Sequence, residues 1–176
     1  PAPTPASAEP TTDLWTEART RLEREDKEGA ERVLQMILHR DPQHVRAHLA
    51  LGKLCADRGE WACAQTHCHA VLAHNPLDIE VHYLLAQVYE HEQQYDEALS
   101  AYRRTVYLDR TFIPGIIGLA QVWRQMGRYT EARRSYRNAL KLLAEMPPTA
   151  VVPLAEGATA NEMAAYAMRQ LQALPG

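Results

Sequence analysis

The chain repeats a sequence pattern every 34 residues. The clearest marks of this period are the alanines Ala30, Ala64, Ala98 and Ala132. A fixed period of this length is typical of solenoids, in which each repeat is one small structural unit that stacks on its neighbours. Solenoids present an extended surface to partners. The period therefore favours a binding function over a catalytic one.

Other positions recur in step with these alanines. Three residues before them the chain has aromatic residues in three of four repeats, Trp61, Tyr95 and Tyr129. Five residues before them lies a turn position, occupied by Glu25, Gly59, Gln93 and Gly127. Twelve residues before them every repeat has a small residue, Ala18, Gly52, Ala86 or Ala120. Small residues allow two helix backbones to approach, so the pattern predicts helices packed in pairs.

Each repeat has the pattern of two helices. In the second repeat, Leu51 and Leu54 belong to one apolar helical face, and a turn follows at Asp57–Glu60. A second apolar stripe begins at Trp61 and ends before Asn75, because the proline that follows disfavours helical geometry there. The predicted repeats are residues 11–44, 45–78, 79–112 and 113–146.

The small and aromatic positions resemble the tetratricopeptide repeat over about residues 11–146. The resemblance implies an all-α fold, a right-handed α-solenoid of about four helical hairpins. It also implies that the first helix of each hairpin lines a concave groove, in which such proteins bind peptides.

The segments outside the repeats have their own composition. Residues 1–10 are rich in proline and alanine, which predicts a linker and a fragment of a longer polypeptide; the alternative is a natural N-terminus after processing. Prolines predict an extended segment over 147–158. Thr159 and Glu162 form a capping box, which predicts a helix over 159–174 that caps the last repeat, with a docking peptide as the alternative. The apolar side of this helix is predicted to be Met163, Ala164, Ala167, Met168 and Leu171.

The tail carries a second resemblance. The stretch Pro-Pro-Thr-Ala-Val-Val-Pro-Leu-Ala-Glu-Gly-Ala-Thr-Ala from Pro147 to Ala160, followed by a short helix, is similar to the end of bacterial chemotaxis-receptor methyltransferases of the CheR type, in the Frz-type or Wsp-type branch. The resemblance implies a parent enzyme that uses S-adenosylmethionine to methylate receptor glutamates. The catalytic domain is absent from these residues, so we expect no cofactor and no enzymatic activity in this chain.

Charge and cysteine content limit the partners and the compartment. The net charge of −3 gives no sign of nucleic-acid binding, and no apolar run is long enough to insert into a membrane. The three cysteines are Cys55, Cys63 and Cys68. Cys55 and Cys68 fall at predicted core positions, which argues against a disulfide and favours the reducing cytoplasm.

Histidines and cysteines raise the question of a metal or thiol site. Cys63 and His67 are one helical turn apart, as are His44 and His48, and such pairs can bind zinc. The sequence has no paired ligand set at zinc-finger spacing, however. A thiol enzyme would also need a third orienting group and an oxyanion site, and neither is visible in the sequence. We therefore expect no metal site and no catalytic residues.

The predicted partner-binding groove consists of first-helix residues that are out of step with the packing positions. Family members that bind chaperone tails need lysine and asparagine where this chain has Trp15, Leu49 and Tyr83, which argues against that partner. The mixture of aromatic and basic residues predicts that the partner is a helix or extended peptide with acidic side chains. An alternative is that Trp15 and Tyr83 belong partly to the core. The predicted groove residues are Trp15, Arg19, Arg46, Leu49, Lys53, Tyr83, Gln87, Glu90, Ile117, Gln121 and Arg124.

These observations lead to one main functional hypothesis and one alternative. The main hypothesis is a non-catalytic interaction module, the regulatory region of a receptor methyltransferase, which binds a chemoreceptor segment or the parent's catalytic domain. The alternative is a general repeat scaffold in a secretion or envelope-assembly complex.

Overall fold

The structure is a computed structural model, and it describes residues 11–175. The predicted linker, residues 1–10, lies outside the described residues. Within them the chain forms nine α-helices and one isolated bridge between Val151 and Thr159. The helices are α1 (Thr11–Glu23), α2 (Lys27–Arg40), α3 (Val45–Asp57), α4 (Trp61–His74), α5 (Ile79–His91), α6 (Tyr95–Leu108), α7 (Ile113–Gln125), α8 (Tyr129–Ala144) and α9 (Ala160–Gln172).

The helices pack as consecutive hairpins, α1 with α2, α3 with α4, α5 with α6 and α7 with α8. This arrangement, with a further helix at the C-terminal end, confirms the predicted all-α class, an α-solenoid with a C-terminal helix. The chain divides into two compact units after Pro76. The amino-terminal unit contains α1–α4, and the carboxy-terminal unit contains α5–α9.

The turns inside the hairpins repeat with the same period as the sequence. At the predicted turn position, Glu25, Gly59, Gln93 and Gly127 all have a positive φ, between 60° and 73°. Glycine adopts this left-handed conformation without steric cost, whereas other residues seldom do. The period of 34 residues is therefore a period of the backbone as well as of the side chains.

The alanines that mark the period lie where the two helices of a hairpin meet. Ala30, Ala64, Ala98 and Ala132 each have an exposed fraction of 0%. One turn further along the same helices, the large side chains of Leu34, Tyr102 and Tyr136 are fully buried. Small and large residues thus alternate along the core face, a pattern that favours close packing of the helices.

The predicted extended segment, residues 147–158, forms a series of turns, which we call the tail loop. The Ala150 amide donates to the Pro147 carbonyl at 2.9 Å, and the Val152 amide donates to the Ala158 carbonyl at 2.9 Å. The prediction of an extended segment was wrong because proline excludes helix but permits turns. Val152 is buried in the core of the carboxy-terminal unit, so the tail loop folds as part of that unit.

Helix α9 packs against α8. It begins with the predicted capping box, in which Thr159 and Glu162 each accept a hydrogen bond from the backbone of the other. Ala160 and Ala167 are buried against the core, whereas Met168 is 45% exposed. The prediction of Met168 on the apolar side was wrong, because the face that α8 covers is narrower than the apolar stripe of the sequence.

None of the described helices is both long enough and apolar enough to cross a lipid bilayer.

We predict that Ala98→Leu destabilises the carboxy-terminal unit. The larger side chain would have no space between α5 and α6, and such overpacking costs about 1–3 kcal/mol in the free energy of unfolding. Thermal or urea unfolding followed by circular dichroism measures the change. Ser100→Leu, on the exposed side of the same helix, is the matched control. Equal stability of the Ala98→Leu variant and the wild type would contradict the packing described here.

Candidate functional site

The carboxy-terminal unit contains a pocket of about 830 Å³. Its walls come from α5, α7, the tail loop and α9, with a contribution from Tyr95 and Tyr102 of α6. This volume lies within the range of about 300–1,000 Å³ that is common for ligand sites. The lining residues are Tyr83, Gln87, Glu90, His91, Gln93, Tyr95, Tyr102, Ile117, Gln121, Gln125, Leu154, Ala155, Glu156, Ala158, Glu162, Met163 and Tyr166.

Two first helices present their pocket residues at helical spacing. On α5, Tyr83, Gln87 and Glu90 follow one another at intervals of four and three residues, so they lie on one face. On α7, Ile117, Gln121 and Gln125 follow one another at intervals of four residues. The opposite faces of both helices are buried in the hairpin core, and this fixes the orientation of the pocket-lining faces.

Hydrogen bonds hold the polar side chains of the pocket in place. Glu90 accepts a hydrogen bond from the Tyr102 hydroxyl at 2.9 Å and a second from Gln125 Nε2 at 2.9 Å. Gln121 Nε2 donates to the Tyr166 hydroxyl at 2.7 Å, and this links α7 with α9. These bonds tie the walls together, so the pocket is largely formed before a ligand arrives.

The pocket is acidic. Glu90, Glu156 and Glu162 line it, and none of the described lining residues is lysine or arginine. Burial raises the pKa of the Glu90 carboxyl, and hydrogen bonds from Tyr102 and Gln125 oppose that effect in part. The backbone hydrogen bond from Thr159 lowers the pKa of Glu162 and thus keeps it charged. Here the pocket differs from the expectation of a basic groove for an acidic peptide.

Four tyrosines are among the lining residues of the pocket. Burial raises the pKa of Tyr83 to about 12, with smaller contributions from Glu156 and Glu90. The Tyr83 ring lies 6.0 Å from the Tyr102 ring and 5.3 Å from the Phe112 ring, centroid to centroid. Tyr83 therefore belongs partly to the core and partly to the pocket, in agreement with the alternative considered for it.

Five of the six groove residues predicted in this unit line the pocket. Among these five, Ile117 has an exposed fraction of only 4%, so it supports the pocket and offers little contact surface. Arg124 is exposed and does not line the pocket. The partner-binding role of all six residues stays a prediction.

Sequence reasoning missed the wall formed by the tail loop and α9. Leu154, Glu156 and Tyr166 line the pocket, although they lie outside the repeats. The capping box indicated that a helix begins at this point. Nothing in the local sequence showed, however, that the helix would return to α7.

The remaining predicted groove residues lie in the amino-terminal unit. Trp15 is half-buried, and its ring lies 5.8 Å from that of His44. Leu49 is half-buried, and Arg46 and Lys53 are exposed on the same helix. Arg19 is exposed and forms an ion pair with Glu23 at 3.4 Å. Their role in binding is likewise a prediction.

The second hairpin brings cysteines and histidines together. Cys55 of α3 and Cys63 of α4 form a disulfide, with their Cα atoms 5.8 Å apart. The expectation of no disulfide was wrong, because the hairpin turn places half-buried Cys63 opposite buried Cys55. The argument for a reducing compartment therefore loses its basis. Cys68 is buried and does not take part in the disulfide.

His67 lies next to the disulfide and also contacts His48. The donor atoms of Cys55, Cys63 and His67 all lie within 4.8 Å of one another. His67 Nδ1 lies 2.9 Å from His48 Nδ1. Burial lowers the pKa of the His67 imidazole, and the neighbouring His48 lowers it further, which favours the neutral ring.

Comparisons with known proteins agree with the hairpin architecture. The family model described as tetratricopeptide repeat matches residues 21–88 and 56–114, together more than half of the chain. No curated protein matches the chain by sequence.

Several solved structures share the fold. A MamA fragment from Desulfovibrio magneticus RS-1 is 20% identical with a TM-score of 0.74, and the match covers 78% of this chain and 77% of that one. Another MamA crystal structure is 20% identical with a TM-score of 0.72, covering 92% and 88%. A thermophilic tetratricopeptide protein of Thermus thermophilus is 16% identical with a TM-score of 0.62, covering 76% and 74%. At these identities the likeness concerns the fold alone.

We predict that Glu90→Gln becomes more stable relative to the wild type as the pH rises. The folded wild type holds the Glu90 proton more tightly than the unfolded chain does. The wild type therefore loses free energy of unfolding as the pH rises from the ordinary carboxyl value of 4.5 through the raised folded pKa. Glutamine does not titrate and lacks this loss. Urea unfolding of both chains at several pH values between about 4 and 7 measures the difference.

The control is Glu97→Gln on the exposed side of α6. The stability difference between the Glu90→Gln variant and the wild type should change with pH. If it does not, the folded chain does not hold the Glu90 proton as described.

Proposed function

Because this chain belongs to the tetratricopeptide-repeat family, a family of protein-interaction modules, we propose that it binds a protein partner in the acidic pocket of its carboxy-terminal unit. The observation that carries this proposal is the half-buried Glu90 carboxylate between tyrosine side chains, in a pocket of about 830 Å³. Tyrosine is enriched among the residues that dominate binding free energy at interfaces. A pocket of this kind suits one or two side chains of a bound segment.

The charge of the pocket favours a basic partner segment. A carboxylate has about four lone-pair sites, and the bonds from Tyr102 and Gln125 use one on each oxygen of Glu90. An arginine or lysine of the partner can use the sites that remain, and the carboxylates of Glu156 and Glu162 add to the attraction. We therefore propose a helical or extended segment that carries a basic side chain beside apolar ones.

The finer proposal concerns the parent protein. We propose that the chain is the regulatory region of a chemotaxis-receptor methyltransferase, and that its partner is a receptor segment or the parent's catalytic domain. The resemblance of residues 147–160 supports this, and the tail loop forms part of the pocket wall. S-adenosylmethionine would then be bound by the catalytic domain and not by this chain. A coding sequence without a methyltransferase domain upstream of Pro1 would contradict the finer proposal alone.

The binding proposal is tested with a phage-displayed random peptide library selected on the chain. We expect the enriched peptides to carry arginine or lysine beside apolar residues. Glu90→Gln removes the charge and leaves the side-chain shape unchanged, so it should weaken binding of the selected peptide by about 1.5–3 kcal/mol. This corresponds to a roughly tenfold to hundredfold rise in Kd, measured by isothermal titration calorimetry.

Glu97→Gln is the matched control, since it removes the same charge from the neighbouring helix outside the pocket. Selection of acidic peptides, or equal affinity of the Glu90→Gln variant and the wild type, would show that the pocket does not bind as proposed.

A further inference from the structure

The second hairpin places two sulfur atoms and an imidazole in one cluster. Cys55 is buried, whereas Cys63 and His67 are half-buried. Cys63 and His67 lie one turn apart on α4, and the disulfide brings Cys55 from α3 to the same place. The cluster therefore has one side in the core and another that solvent reaches, as a site that exchanges a small ligand requires.

His48 determines which nitrogen of His67 has a lone pair for a ligand. His48 Nε2 lies 2.9 Å from the Pro42 carbonyl oxygen, which can only accept, so this nitrogen carries the proton. In the neutral ring, His48 Nδ1 is then an acceptor, and His67 Nδ1 must donate to it across 2.9 Å. It follows that His67 Nε2 has the free lone pair.

We propose that, after reduction of the disulfide, Cys55 Sγ, Cys63 Sγ and His67 Nε2 bind a divalent ion of the zinc class. Water takes the fourth position, and His48 acts as the positioning residue for His67. Two thiolates and one imidazole are a ligand set that selects zinc and similar soft ions, whereas magnesium and calcium require oxygen ligands. This replaces the expectation, drawn from the sequence, that the chain has no metal site.

The ion and the disulfide exclude each other. A dithiol reductant supplies two electrons and two protons, so the bond between the sulfurs breaks into two thiols while the dithiol closes into its own disulfide. The ion then displaces one proton from each thiol, and binding releases two protons to solvent. Neutral His67 loses no proton on binding the ion, because Nε2 already has its lone pair. The hairpin can thus hold a disulfide or a metal ion, according to the redox state.

The test uses the whole chain with Co²⁺ as a spectroscopic probe and Zn²⁺ as its competitor. We expect the reduced chain to bind one Co²⁺, with a thiolate-to-cobalt charge-transfer absorption that Zn²⁺ abolishes, and the oxidised chain to bind none. His67→Ala and Cys63→Ser should each remove the absorption. His48→Ala should weaken affinity about 10- to 100-fold, as loss of an outer partner of a ligating histidine does. His48→Gln should restore part of it, since the amide oxygen can accept from His67 Nδ1.

The controls are His69→Ala, exposed on the same helix, and Cys68→Ala, which lies outside the cluster. Both should bind Co²⁺ as the wild type does. If circular dichroism shows that the reduced chain is unfolded, Zn²⁺ must restore its helical signal. Absence of Co²⁺ binding to the folded reduced chain, failure of that restoration, or binding that survives Cys63→Ser would overturn the proposal.

Discussion

Close contact between paired helices is the constraint on which the rest of the structure depends. The alanines at the repeat position are fully buried, and large side chains such as Tyr102 and Tyr136 fill the space one turn away. The same complementarity occurs between α6 and α7. A Cβ atom added at Gly118 would lie 2.3 Å from Cε1 of Tyr102, so the ring occupies the space that a side chain at position 118 would need. The core leaves little freedom in how these helices are arranged.

This core also positions the pocket. Tyr102 is buried at a repeat position, yet its hydroxyl donates to Glu90 on α5. Packing of the ring thereby fixes the direction of a hydrogen bond to the pocket carboxylate. A polar side chain held from behind by the core loses little conformational entropy on binding, because its ordering cost has already been met in folding.

The features that could be predicted from the sequence are those that recur or act locally. Glu25 and Gln93 could be assigned to turns because Gly59 and Gly127 share their position in the repeat, and the structure gives all four the same left-handed backbone. The capping box at Thr159 could likewise be predicted, because both of its residues lie within one helical turn. The Cys55–Cys63 bond and the pocket wall formed by Tyr166 could not be predicted, because they depend on tertiary contacts between helices.

Different parts of the sequence determine the packing of the hairpins and the lining of the pocket on the side of the tail loop. The repeats determine the packing of the hairpins, while a short stretch outside them supplies Leu154, Ala155 and Glu156 to one side of the pocket. A substitution at an exposed position there leaves the repeated positions untouched. The lining of the pocket can therefore change through a few loop residues while the packing of the helical framework stays the same.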